Sequence, residues 1–195
     1  MFGGSRLRAL FAVLAALTAT FALAGTAGAS SGNGAVIEAQ DACDPASFNG
    51  AGIGCDRVDG SGKRVTLDEL FARVVKDKSH GAWRFASDHV DVAAGQPVYV
   101  RLGRGGEFHT FTKVANFGRG CIGELNEPIF GSKDPAPACA PIDTPGGPVP
   151  APFVLDGIPT NGVDVLQVPA ERLTRGTNLF QCMIHPWMHA TVTVE

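Results

Sequence analysis

The sequence predicts an all-β fold, a sandwich or barrel of short strands with an amphipathic helix added in front and a disulfide-containing insertion inside. Three observations predict it. From Trp83 onward the chain runs in short alternating segments punctuated by glycine and proline. Those segments lack the strand–helix–strand rhythm of a parallel sheet. The one strong helical periodicity precedes them, at residues 66–78.

Taken in order, the chain begins with Arg6 and Arg8, an apolar run at 9–23, and Ala-Gly-Ala at 27–29. The run is short for a transmembrane helix, so residues 1–29 read as a secretory signal peptide and the mature chain begins near Ser30. A periplasmic or extracellular location follows, with no stable membrane span after signal removal. Losing two arginines and no acids shifts the formal charge from −3 to −5. That mild acidity argues against nucleic acid as a partner.

Export permits disulfides. Five cysteines are present, Cys43, Cys55, Cys121, Cys139 and Cys182. The sequence-near pairs Cys43 with Cys55 and Cys121 with Cys139 would close two short loops and leave Cys182 unpaired, although five cysteines permit other connectivities.

Residues 30–64, rich in Gly, Ala, Asn and Ser, read as an irregular N-terminal extension to a domain at 65–195. Thr66-Leu67-Asp68-Glu69 is a capping box that opens a helix over 66–78. Leu67, Leu70, Phe71, Val74 and Val75 form its apolar stripe, which suits covering an open side of the sandwich. Strands are expected at 85–92, 96–102, 108–114, 163–168, 178–182 and 190–195. Between them, 115–152 is a Gly- and Pro-rich insertion holding the second cysteine pair; a plain surface excursion is the default expectation for it.

The chemistry concentrates in the last sixteen residues, F-Q-C-M-I-H-P-W-M-H-A-T-V-T-V-E. Cys182, His185 and Met188 place a thiolate, an imidazole and a thioether on one short loop, each two residues from the next. That soft set suits copper in an electron-transfer site, where two His and one Cys bind in a plane and a Met lies on the axis. His109, in the run F-H-T-F-T, is the best candidate for the second imidazole.

The loop C-M-I-H-P-W-M is similar in spacing to the amicyanin loop C-T-P-H-P-F-M, and the chain from about Phe85 onward resembles the cupredoxins, small type 1 blue copper proteins. The resemblance implies a Greek-key β-sandwich carrying one copper and passing single electrons between redox partner proteins, without enzymatic activity. By motif position it assigns His109, Cys182, His185 and Met188 as ligands. Family members commonly have Asn after the first His and a hydroxyl residue after the Cys, tying the two ligand segments together; this chain has Thr110 and Met183 there. Ile184 replaces the family's proline, so its N–H is expected to reach the Cys182 sulfur and raise the potential. Pro186 and Trp187 are expected to form an apolar surface for a partner approaching the His185 edge. Gln181 and Met183 flank Cys182 where a multicopper oxidase would have His. Copper binding or delivery, encouraged by the methionines beside Cys182, is the alternative function.

Overall fold

A computed structural model describes residues 34–56 and 62–195. The expected signal peptide and its cleavage site lie outside the described residues. In chain order the elements begin with β1 (Ala35–Gln40), α1 (Pro45–Gly50), α2 (Leu67–Asp77), β2 (Arg84–Ala86), β3 (His89–Val92) and β4 (Val98–Arg104). Next come β5 (His109–Thr110), β6 (Thr112–Val114), α3 (Gly123–Phe130), β7 (Pro141–Ile142), β8 (Val149–Pro150) and α4 (Ala151–Leu155). The chain finishes with β9 (Gly157–Ile158), β10 (Leu166–Val168), β11 (Gly176–Gln181) and β12 (His189–Val194).

Two four-stranded sheets, ordered β10-β4-β1-β2 and β3-β12-β11-β6, make a β-sandwich with insertions. Connections pass from sheet to sheet, which is how β1 lies parallel to β4 and β3 parallel to β12. The core lies between them. Ile37, Ala39, Val98, Val100 and Leu102 from the first sheet meet Phe180, Ala190, Val192 and Val194 from the second, all buried. Phe111 stacks on Phe180 at 4.3 Å and meets Phe85 edge-on at 5.1 Å, joining the two layers. Among the described residues no helix is long and apolar enough to cross a membrane.

The expectation of an irregular extension over 30–64 is corrected by β1, an interior strand of the first sheet. A-V-I-E-A-Q turns Ile37 and Ala39 inward between β2 and β4. Composition hid this short alternation, because its pairing partners lie far along the chain. Two expected strands are also divided. The 85–92 run changes sheet between β2 and β3, where Ser87 takes the left-handed conformation at φ 58°. The 108–114 run is interrupted at Phe111, whose N–H donates to the Asp156 carbonyl at 2.9 Å.

At α2 the capping box closes in both directions: Glu69 N–H donates to Thr66 Oγ1 at 3.2 Å, and Thr66 N–H to Glu69 Oε2 at 2.9 Å. Leu70 and Val74 are buried, whereas Val75 is 58% exposed, so the apolar stripe is narrower than its spacing suggests. Thr66→Ala is expected to lower the unfolding free energy by about 1 kcal/mol in urea titration. No measurable loss would show that packing alone holds this end.

Disulfides join Cys43 to Cys55 and Cys121 to Cys139, leaving Cys182 free and buried. The 115–152 insertion, expected as a plain surface excursion, is tied back to the loop that follows β11. Buried Asn126 bonds both the N–H and the carbonyl of Gly120, and Cys121 N–H donates to the Met183 carbonyl at 2.6 Å. A β-carbon on Gly120 would fall 2.5 Å from that carbonyl oxygen, so the approach needs glycine.

Candidate metal centre

The β11–β12 pairing runs from Gly176 opposite Val194 to Gln181 opposite His189, which leaves 182–188 as the connecting loop. Cys182 N–H donates to the Met188 carbonyl at 3.0 Å, and Met188 N–H to the His185 carbonyl at 2.9 Å. These bonds set Cys182 and Met188 at the two feet of the loop and His185 within it. His109 arrives from elsewhere: β5 pairs with β9, His109 opposite Ile158.

The fold brings His109, Cys182 and His185 together. Their donor atoms lie within 4.8 Å of one another and all three side chains are buried. Cys182 Sγ is 4.0 Å from His109 Nδ1 and 3.8 Å from His185 Nδ1. With metal–nitrogen and metal–sulfur bonds of roughly 2.0 and 2.3 Å, donors sharing one ion stand roughly 3.5–4 Å apart. The cluster therefore fits a single soft-ligated ion. Met188 is buried at the foot of the same loop.

Thr110 ties the two segments together. Its N–H points at Cys182 Sγ, 3.5 Å away, and its Oγ1 accepts from Met183 N–H at 2.8 Å. A hydroxyl thus links the strand to the loop backbone. The sulfur's hydrogen bond comes from Thr110, and none from Ile184 is present among the described residues. That corrects the basis for a potential raised by Ile184. His189 turns away, stacked on Phe117 at 3.9 Å with Nε2–H donating to the Pro186 carbonyl at 2.7 Å.

Each imidazole is backed by a buried carboxylate. His109 Nε2 meets Asp41 Oδ2 at 3.0 Å, which fixes the ring and leaves Nδ1 toward the cluster. Asp41 is held by the N–H groups of Cys43, Gly106 and Glu107 at 3.0–3.2 Å. Gly105, at φ +95°, allows this wrap, since a β-carbon there would strike the Asp41 carboxylate. His185 Nε2 lies 3.1 Å from Glu107 Oε1, within ion-pair distance but without a hydrogen bond, and it has no hydrogen-bond partner. Glu107 is steadied by Trp83, whose Nε1–H donates to Oε2 at 2.7 Å.

The electrostatics follow. Burial alone would push the His109 pKa down, but the hydrogen bond to Asp41 and the contact with Cys182 outweigh it and raise the pKa to about 10. Burial also opposes charge on His185, yet the Glu107 and Cys182 charges lift it to about 9. Burial would raise the Cys182 thiol, but the two imidazoles hold it well below its ordinary value. At pH 7 both imidazoles of the metal-free site are therefore protonated, and the Cys182 thiol they face is shifted toward its thiolate. Uptake of a divalent ion at pH 7 is expected to release about two protons, measured with an indicator in weak buffer. Release of none would contradict this charge state.

The expected partner surface is corrected. Pro186 is buried and His185 is 1% exposed. Trp187 is half-buried, its Nε1–H directed at the His80 and Trp83 carbonyls at 3.3 and 3.2 Å. The segment at 80–83 thereby covers the side on which an exposed imidazole edge was expected. Sequence reasoning missed Asp41, Glu107 and Trp83; the one local signal was an acidic residue, Glu107, two positions before His109.

No family model matches the chain, and no curated protein matches it in sequence. Among solved structures it is similar to a novel purple cupredoxin from Nitrosopumilus maritimus, at 16% identity over 63% of this chain and 90% of that one, with a TM-score of 0.33. A mutant plastocyanin of fern aligns at 20% identity over 58% and 89%, TM-score 0.32. Oxidised plastocyanin from Dryopteris crassirhizoma aligns at 22% identity over 58% and 89%, TM-score 0.29. Overlaps this loose add no weight of their own, and the two-sheet fold rests on the strand pairing described above.

Proposed function

We propose that this chain is an exported mononuclear type 1 copper protein that carries single electrons between transient redox partner proteins and is not an enzyme. The observation that carries the reading is the buried His109–Cys182–His185 cluster, both Nδ1 atoms facing one thiolate sulfur at 4.0 and 3.8 Å. Copper bound there supplies a one-electron couple between Cu(I) and Cu(II). Cys182, His109 and His185 would hold it, with Met188, buried at the foot of the same loop, as a fourth and softer donor.

The residues around the cluster hold the donors still. Asp41 orients His109, Glu107 stands against His185, and Thr110 ties the His109 strand to the Cys182 loop. Donors fixed this way suit both oxidation states, which keeps the cost of reorganisation low. Two buried carboxylates and a thiolate favour the more positive oxidation state, so Glu107→Gln is expected to raise the potential by on the order of tens of millivolts. Voltammetry of the copper-loaded chain measures that shift and tests the function itself. A reversible one-electron wave at one copper per chain supports a carrier, and copper lost on each reduction argues for delivery. Burial favours the carrier: a delivery site exchanges its ion with partners, whereas His109, Cys182, His185 and Met188 are all at most 1% exposed.

A further inference from the structure

The segment at 80–83 that covers His185 borders, on its outer side, a shallow cleft of about 330 Å³ whose charged lining is Lys63, Arg73, Lys76 and Glu69, with His80 beside them. Glu69 is engaged by the Thr66 N–H at 2.9 Å and Arg73 by Asp77 at 3.0 Å, whereas no ion pair joins Lys63 or Lys76 to an acid among the described residues. Lys63 also borders an adjoining cleft with Arg84, which donates to the Gly81 carbonyl and the Gln40 side chain at 3.0 and 2.6 Å rather than to a carboxylate. Residues 63–84 hold six basic and three acidic residues in a chain whose net charge is −3, so this face is a basic island on an acidic molecule. Its field reaches His80: burial, with the Arg73 and Lys63 charges outweighing that of Glu69, holds the imidazole below its ordinary pKa. The same ring begins a contact that leads inward. His80 meets Trp83 edge-on at 4.9 Å, and Trp83 stands 6.2 Å from His185.

We propose that this basic face docks an acidic partner protein, whose carboxylates sit against Lys63, Lys76 and Arg84 and whose redox group is brought up to His80. That the partner is a redox protein rests on the electron-carrier reading; that it is acidic rests on the face alone. One electron passes between partner and centre by way of the His80 and Trp83 rings, and no bond or proton is exchanged. Cations spread over two adjoining clefts suit a surface carrying several carboxylates better than a single small anion. The position suits the task as well, because the rings that close off His185 are the ones this face presents.

The first test needs no metal: poly-L-glutamate is titrated into the full chain at low salt and amide NMR shifts are followed. Saturable shifts centred on Lys63, Arg73, Lys76, His80 and Arg84 are expected, with a Kd on the order of 100 μM or tighter. Lys63→Glu with Lys76→Glu should weaken binding at least about tenfold; glutamine at both positions serves if the reversed variant does not fold. In the second test hexacyanoferrate(III), a small anionic oxidant, takes one electron from the reduced copper-loaded chain in stopped flow. Attraction at the basic face should make the rate fall at least about threefold as ionic strength rises from roughly 0.02 to 0.2 M, and the double variant should remove that fall. Shifts centred elsewhere, none at all, tighter binding to phosphatidylglycerol vesicles than to polyglutamate, or a rate that rises with salt as the net negative charge alone dictates would each overturn the proposal. Polyglutamate bound at this face by a chain that fails to hold copper would keep the acidic partner and remove the electron-carrier reading.

Discussion

Asp41→Ala is expected to lower the unfolding free energy of the metal-free protein by about 3–5 kcal/mol, the range for removing one partner from a buried ion pair. Asp41 accepts from the N–H groups of Cys43, Gly106 and Glu107 and meets His109 Nε2 at 3.0 Å, with both side chains of the pair at 0% exposure. Alanine would orphan all of these groups at once and leave His109 without the anion that keeps it charged. It would also release the ring that aims Nδ1 at Cys182, so metal affinity should fall about 10–100-fold as well. Guanidinium unfolding without metal and chelator competition with it measure the two effects separately. A stability loss below about 1 kcal/mol would show that the wrap around Asp41 is incidental.

The second large effect is expected from Cys182→Ser. Serine offers a hard neutral oxygen where the structure has a thiolate held by two imidazoles, so copper affinity should fall more than the roughly 10–100-fold typical of losing a supporting residue. The fold should survive. Cys182 forms no disulfide, and a serine hydroxyl can still accept from Thr110 N–H. Copper competition should therefore show the loss in a chain that still unfolds cooperatively, and metal-free stability at pH 7 should fall as well, because serine removes the anion that faces two buried imidazoles. Copper binding as tight as in the parent chain would remove the thiolate from the site.

Why the sequence revealed one half of this centre and hid the other follows from distance along the chain. Cys182, His185 and Met188 lie within one seven-residue loop, where spacing alone relates them. Thr66 and Glu69 are three apart, so the capping box was equally legible, and the short separations within Cys43–Cys55 and Cys121–Cys139 suggested pairings that the structure contains. Asp41 stands 68 residues from His109, and Trp83 stands 24 from Glu107; no local pattern reports such contacts. For the same reason β1 was hidden, since A-V-I-E-A-Q becomes a strand through β2 and β4 rather than through its own glycine-rich neighbourhood.

Closure over His185 was illegible too. An exposed Pro186–Trp187 face is the natural reading of a loop by itself, but Trp187 is engaged by the carbonyls of His80 and Trp83, which belong to a segment remote in sequence. The Ile184 hydrogen bond failed on geometry: Thr110, from the strand beneath, provides the N–H to the sulfur. The local motif names the donors, and tertiary contacts decide what holds and covers them.

The most direct measurement is the visible absorption and EPR spectrum of the copper-loaded chain beside Cys182→Ser. A type 1 site held by Cys182 gives an intense thiolate-to-Cu(II) band with narrow copper hyperfine splitting, both lost in the variant. A copper-loaded chain that shows neither feature, or a variant that keeps both, would contradict a copper–thiolate centre at this loop.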